Sequence, residues 1–155
     1  MKNLSIQPLW HQIIIEDSQA LPGTSVHNLI KTILKAVDLQ YIITANLEGA
    51  GTYYLEEQLK GHTGKINEFL NVVTSVKQFD WGDFYLFRKP PTETNNYNTK
   101  EYEKVIPQTD VTIRAVDDTY LYVYTQDPLV IKHIKDFFEI ESDKVATIYD
   151  LDFPD

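Results

Sequence analysis

Residues 110–125 read DVTIRAVDDTYLYVYT. Two runs of β-branched and aromatic residues, 110–116 and 119–125, flank the pair Asp117-Asp118, and this is the pattern of a β-hairpin. In the second run a tyrosine falls at every other position, so Tyr120, Tyr122 and Tyr124 share one face of a strand. Two registers are open. A two-residue turn at Asp117-Asp118 pairs Val116 with Thr119 and sets the tyrosines beside Ala115, Ile113 and Val111. A three-residue turn slips the register by one and sets them among Val116, Arg114 and Thr112. Asp-Asp is a weaker two-residue turn signal than Asn-Gly, so the sequence leaves the choice open. It also leaves open whether the rings pack under a helix with their hydroxyls at its rim or form an exposed aromatic platform.

The segments around the hairpin define the rest of the sheet and its helices. Residues 8–16, PLWHQIIIE, are apolar on both alternating faces, which predicts an inner strand. Residues 40–47 and 82–89 predict two further strands. Val26, Leu29, Ile30, Ile33, Leu34 and Val37 fall on one helical stripe, with Thr24 or Ser25 as its cap. Ile66, Phe69, Leu70, Val73 and Val76 form a second stripe, capped by Thr63. Asp127 followed by Pro128 predicts the start of a third helix, with Val130, Ile134, Phe137 and Phe138 facing inward. Residues 52–60 fit either a helix starting after Thr52 and ending at Gly61, or a strand through Tyr53 and Tyr54. The polar stretch 89–104 predicts a long exposed loop. The acidic tail 139–155 holds a short strand around Val145–Tyr149. Strands and helices alternate early and strands run consecutively late. This order predicts an α+β fold in a single domain spanning 1–155, with a mixed or mostly antiparallel sheet of about five strands and about three helices mainly on one face.

Charge is the strongest functional signal. Residues 101–155 hold thirteen Asp and Glu against five Lys and Arg, so −8 of the total −9 lies in the C-terminal third. Such a surface repels nucleic-acid phosphates and anionic membranes and attracts a basic protein. With no cysteine there is no disulfide framework and no thiolate metal site. The N-terminal residues lack the apolar run of a signal peptide, and the longest aliphatic run, Ile13–Ile15, is too short to span a membrane, which predicts a cytoplasmic protein.

No motif specifies a reaction or a cofactor. The four histidines, His11, His27, His62 and His133, are too far apart in sequence for a local metal pair. The G-x-G of NLEGAGTYY, residues 46–54, has Tyr54 in place of the third phosphate-binding glycine and reads as a tight turn. GHTGK, residues 61–65, lacks the first P-loop glycine. Asp80 with Asp83, or Asp117 with Asp118, could pair in space, without EF-hand spacing. The leading expectation is therefore a non-enzymatic domain that binds a basic protein through Tyr120, Tyr122, Tyr124, Asp117, Asp118 and Asp127, with the 89–104 loop as an accessory. In composition it has the character of a bacterial immunity protein that neutralises a toxin nuclease. One alternative is an enzyme or small-molecule binder with a pocket between sheet and helices that involves His11, Trp10 and Tyr53. The other is a homodimer formed through the tyrosine hairpin.

Overall fold

The computed structural model describes residues 7–59, 63–92 and 96–155. In chain order the elements are β1 (Leu9–Glu16), α1 (Gly23–Leu34), β2 (Tyr41–Glu48), α2 (Tyr53–Leu59), β3 (Gly64–Lys65), α3 (Ile66–Val73), β4 (Trp81–Phe87), α4 (Tyr102–Val105), β5 (Val111–Val116), β6 (Tyr120–Thr125), α5 (Pro128–Phe138) and β7 (Lys144–Thr147). The strands form one sheet in the order β3-β2-β4-β5-β6-β1-β7, antiparallel at every pairing. The class is α+β, but among the described residues the sheet has seven strands rather than about five, and there are five α-helices rather than about three. β3 has two residues and α4 has four, too few for a periodic signal.

One sheet face carries Ile13, Ile15, Ile42, Phe84, Leu86, Val111, Ile113, Ala115, Leu121 and Val123. These pack against α1, α2, α3 and α5 in one continuous core. Each such side chain contributes on the order of 1.5–3 kcal/mol by leaving water. Residues 53–59 are helical: Leu55 and Leu59 reach that core, four residues apart on one helix face. The expected end of this helix at Gly61 lies outside the described residues.

The helix starts differ from expectation at two places. Pro22, not Thr24 or Ser25, occupies the cap position of α1, and the Ser25 hydroxyl instead donates to Asp17 Oδ2. Lys65 precedes α3 with no side-chain cap, so Thr63 does not serve there. Asp127 caps α5 as expected, accepting from Leu129 N at 2.9 Å. On α5 the buried stripe is Val130, Ile131 and Ile134. Phe138 is only partly buried, and Phe137 is 57% exposed, because the helix runs past the edge of the core it covers.

The second sheet face has no long helix over it. Two irregular segments cover part of it. Residues 97–108 lay Tyr97, Tyr102, Val105 and Ile106 onto it, and the C-terminal residues add Ile148, Leu151 and Phe153. The stretch 89–104 is thus polar in composition yet contributes two buried rings. Tyr97 meets Tyr85 at 5.5 Å and Phe87 at 5.7 Å between centroids, and Tyr102 stacks on Phe153 at 5.9 Å.

Candidate functional site

The register decides what lies on the second face. Val116 pairs with Tyr120, Arg114 with Tyr122 and Thr112 with Tyr124, which is the three-residue arrangement. Asp117 and Asp118 both take left-handed backbone, φ +51° and +49°, which aspartate tolerates. Thr119 N closes this turn on Val116 O at 3.1 Å, and Thr119 is then the extra residue before pairing resumes. Its carbonyl accepts from Asp17 N at 2.7 Å, and Asp118 N donates to Asp80 O at 3.0 Å. Contacts with two distant segments therefore hold the register that the turn sequence leaves open.

Three rows of side chains cross this face. The first is Ile43, Tyr85, Thr112, Tyr124, Gln12. The second is Ala45, Asp83, Arg114, Tyr122, Ile14. The third is Trp81, Val116, Tyr120, Glu16. The first row lies beneath the covering segments. Tyr124 is wholly buried and donates its hydroxyl to Asp152 O at 2.6 Å. Gln12 exchanges two bonds with Asp152, at 2.8 and 2.7 Å, which pins the C-terminal segment down. The third row is open, so the tyrosine ladder is a gradient. Tyr124 is core, Tyr122 is half-buried and Tyr120 is 37% exposed.

Between them lies a buried polar cluster. Arg114 Nε donates to Asp83 Oδ1 at 2.9 Å, with the two side chains only 1% and 2% exposed. Asp83 Oδ2 also accepts from Asn46 Nδ2 at 2.7 Å and from the Tyr102 hydroxyl at 3.0 Å. Arg114 Nη2 donates to the Tyr102 hydroxyl at 3.0 Å, and the guanidinium lies 3.8 Å from the centre of that ring. A bulge in β2 between Ala45 and Glu48, with Asn46 at φ +53°, turns Asn46 into the cluster. Arg114 Nη1 and Tyr85 Oη are buried without a hydrogen-bond partner among the described residues. Burial raises the Tyr85 and Tyr102 hydroxyls well above the ordinary tyrosine range, and the Asp83 charge adds to both. Burial likewise raises Tyr124, with Arg114 acting in the opposite sense. Desolvation alone would lower Arg114, but Asp83, Tyr102 and Tyr124 outweigh it and raise it on balance.

Above this cluster is a cavity of about 170 Å³ lined by Asn46, Trp81, Asp83, Tyr102, Arg114 and Asp155 among others. It shares Asn46, Glu48 and Lys100 with a larger groove along β2. Beside it the open part of the face presents Ile14, Trp81, Tyr120 and Tyr122. Around the hairpin end stand Glu16, Asp17, Asp80, Asp117 and Asp118, none of which forms an ion pair among the described residues.

The structure brings Tyr120, Tyr122, Asp117 and Asp118 to this one end. It separates two residues expected with them. Tyr124 lies under the C-terminal segment. Asp127 lies at the other end of β6, capping α5 with Arg88 at 3.8 Å. The three residues expected to share a pocket stand apart. Trp10 is buried on the second face, and His11, its neighbour on the strand, points to the helix side and binds Asp143 at 2.7 Å. Tyr53 is exposed on α2 against Tyr54. His62 lies outside the described residues. Asp80 and Asp83 point apart: Asp80 binds Gln78 while Asp83 enters the buried cluster. The G-x-G segment is a turn sewn by backbone bonds to residues 77–80, with Gly49 at φ +142°.

Sequence reasoning missed Arg114, Asn46, Tyr102 and Trp81 as site residues, and paired Asp83 with Asp80 rather than with Arg114. The one available signal was a lone arginine inside an otherwise apolar strand, since a buried charge needs a partner. No helix among the described residues is long and apolar enough to cross a membrane. Comparison with family models, curated proteins and solved structures returns no match.

Proposed function

We propose that this chain is a non-catalytic protein-binding domain that docks a basic partner on the open part of its second sheet face, in the manner of an immunity-type inhibitor. The observation that carries this reading is the meeting at one end of the sheet of two exposed side chains, Ile14 and Tyr120, and two half-buried ones, Trp81 and Tyr122, with five carboxylates that form no ion pair among the described residues. Aromatic residues supply area at low entropic cost, and the carboxylates steer and select a lysine- or arginine-bearing surface. The site has a rigid floor, because Arg114 and Asp83 beneath it are tied by four hydrogen bonds. Asp127 and Tyr124 drop out of the contact set, and Glu16, Ile14 and Trp81 join it.

The test is a low-salt pull-down with wild type, Tyr122→Ala/Asp118→Lys, and a control, Phe137→Ala/Asp136→Lys, on α5 over the opposite face of the sheet. All three are first checked for folding by circular dichroism. Stoichiometric capture of a basic protein by wild type and control, reduced at least tenfold in the first variant and weakened by added salt, supports the proposal. Equal capture by all three sinks it.

A small-ligand reading has one observation in its favour. The 170 Å³ cavity over the Asp83–Arg114 pair is walled by Trp81 and Tyr102. It lies on the face away from α1, α3 and α5, not between sheet and helices, and none of Trp10, His11 and Tyr53 lines it.

A further inference from the structure

β2 is nearly an edge strand. β3 meets it only at Tyr41 and Ile42, so among the described residues no strand pairs with its outer side from Ile43 to Glu48. One edge amide, that of Asn46, is met by a side chain instead: Asn98 Oδ1 accepts from it at 3.3 Å.

This edge is the floor of the larger groove, about 560 Å³, lined by Thr44, Ala45, Asn46, Leu47 and Glu48. Glu56 of α2 stands on one side, and Asn98 and Lys100 on the other. We infer that the β2 edge takes up an extended, basic segment of the partner protein by strand addition, an inference that rests on the protein-binding reading above and names the segment it grips. Only an extended backbone offers the alternating donors and acceptors such an edge requires. The regular part of this edge, Ile43–Ala45, is about 10 Å long, enough to pair about three residues of a segment, and the bulge at Asn46 bends the rest of the strand beside the groove. Charge selects the segment. Glu48 and Glu56 are exposed on the groove, against one cation among its described lining residues, Lys100. The groove also opens into the cavity beside Trp81 and Arg114, through the shared residues Asn46, Glu48 and Lys100, so a segment lying in it leads onto the aromatic face. A second copy of the chain carries the same Glu48 and Glu56 on its own edge, so like charge disfavours it as the occupant.

The probe is a capped peptide, Lys-Val-Lys-Val-Lys-Val, and the readout is amide exchange of the whole chain by NMR. A second peptide carries N-methyl groups on alternate residues, which keeps the charge and removes the hydrogen bonds. Exchange at Thr44–Asn46 should slow at least tenfold at saturation. The N-methylated peptide should bind at least tenfold more weakly, and so should the parent peptide to Glu48→Lys/Glu56→Lys. Equal binding of both peptides overturns strand addition. Changes confined to Ile14, Trp81, Tyr120 and Tyr122 also overturn it, while leaving the protein-binding reading intact. Absence of any change at millimolar peptide overturns it as well, and the pull-down then judges the broader reading separately. Slowing that follows protein concentration without peptide assigns the edge to a second copy and equally overturns the inference.

Discussion

Removing either member of the Asp83–Arg114 pair should destabilise the fold far more than removing both. The side chains are 1% and 2% exposed, so each single change leaves a charge with almost no access to water. Breaking a buried pair costs about 3–5 kcal/mol. The local bonds rank the two variants. In Arg114→Met, Asp83 still accepts from Asn46 and Tyr102, which places the loss near the lower figure of about 3 kcal/mol. In Asp83→Asn, Arg114 keeps its full charge with only neutral partners, the new amide oxygen and the Tyr102 hydroxyl and ring, which places the loss near about 5 kcal/mol. The double variant Asp83→Asn/Arg114→Met has no buried charge left. It also removes the unpartnered Nη1 donor, a burden of about 1–3 kcal/mol. It should therefore lie within about 2 kcal/mol of wild type, with a coupling of several kcal/mol between the sites. Urea unfolding followed by circular dichroism measures all four corners of the cycle. At roughly 3 °C per kcal/mol, the single variants should melt about 10–15 °C lower. Single losses below about 1 kcal/mol that simply add in the double variant would refute the reasoning, because the pair would then be neither buried nor coupled.

Three further outcomes follow from the same coordinates. Tyr85, Tyr102 and Tyr124 hold their protons above the ordinary tyrosine pKa, so the unfolded chain releases them first and stability must fall as pH rises above 10. Three such groups remove about 4 kcal/mol in total between pH 9 and 11, visible as a falling urea midpoint, with three of the ten tyrosines silent to absorbance titration until unfolding. Asp143 is held below its ordinary pKa: burial opposes this, but the bonds from Lys135 and His11 outweigh it. Its contribution is present above the unfolded pKa and lost as pH falls through the folded one, so acid below about pH 4 should speed amide exchange in β7 in wild type and change little in Asp143→Asn. Gly49→Ala should cost more than about 2 kcal/mol by thermal melt, because a Cβ there would sit 2.2 Å from Gln78 O on a backbone at φ +142°. A melt within 2 °C of wild type would mean that the 48–52 turn can move off residues 77–80.

Much of the fold was legible because its signals are local. The stripe from Val26 to Ile33, the alternation in 110–125 and the Asp127-Pro128 start each lie within one element, and each element formed where its pattern stood. The caps at Thr24, Ser25 and Thr63 failed for a non-local reason in one case: Ser25 is claimed by Asp17, eight residues earlier. The site was half legible. Tyr120, Tyr122, Asp117 and Asp118 do share one end of the sheet, since strand alternation and hairpin geometry place them there. Arg114, Asp83, Tyr102 and Asn46 come from three strands and the short helix α4, and no window of sequence contains them together.

The sequence by itself determined the elements that depend on period, turn chemistry and charge: an α+β chain, helices with one apolar stripe, a hairpin with tyrosines on a single face, and an acidic C-terminal third. The tertiary structure alone decided which face that was. A one-residue slip exchanges the two faces, and the turn sequence barely distinguishes them. Bonds from Asp17 and Asp80 to the hairpin end settled the register. The same packing turned Tyr97 and Tyr102 of a polar stretch inward and laid the C-terminal segment over Tyr124. Both follow from one physical requirement: the second face of an apolar sheet has to be covered, and chain far away in sequence was what could reach it.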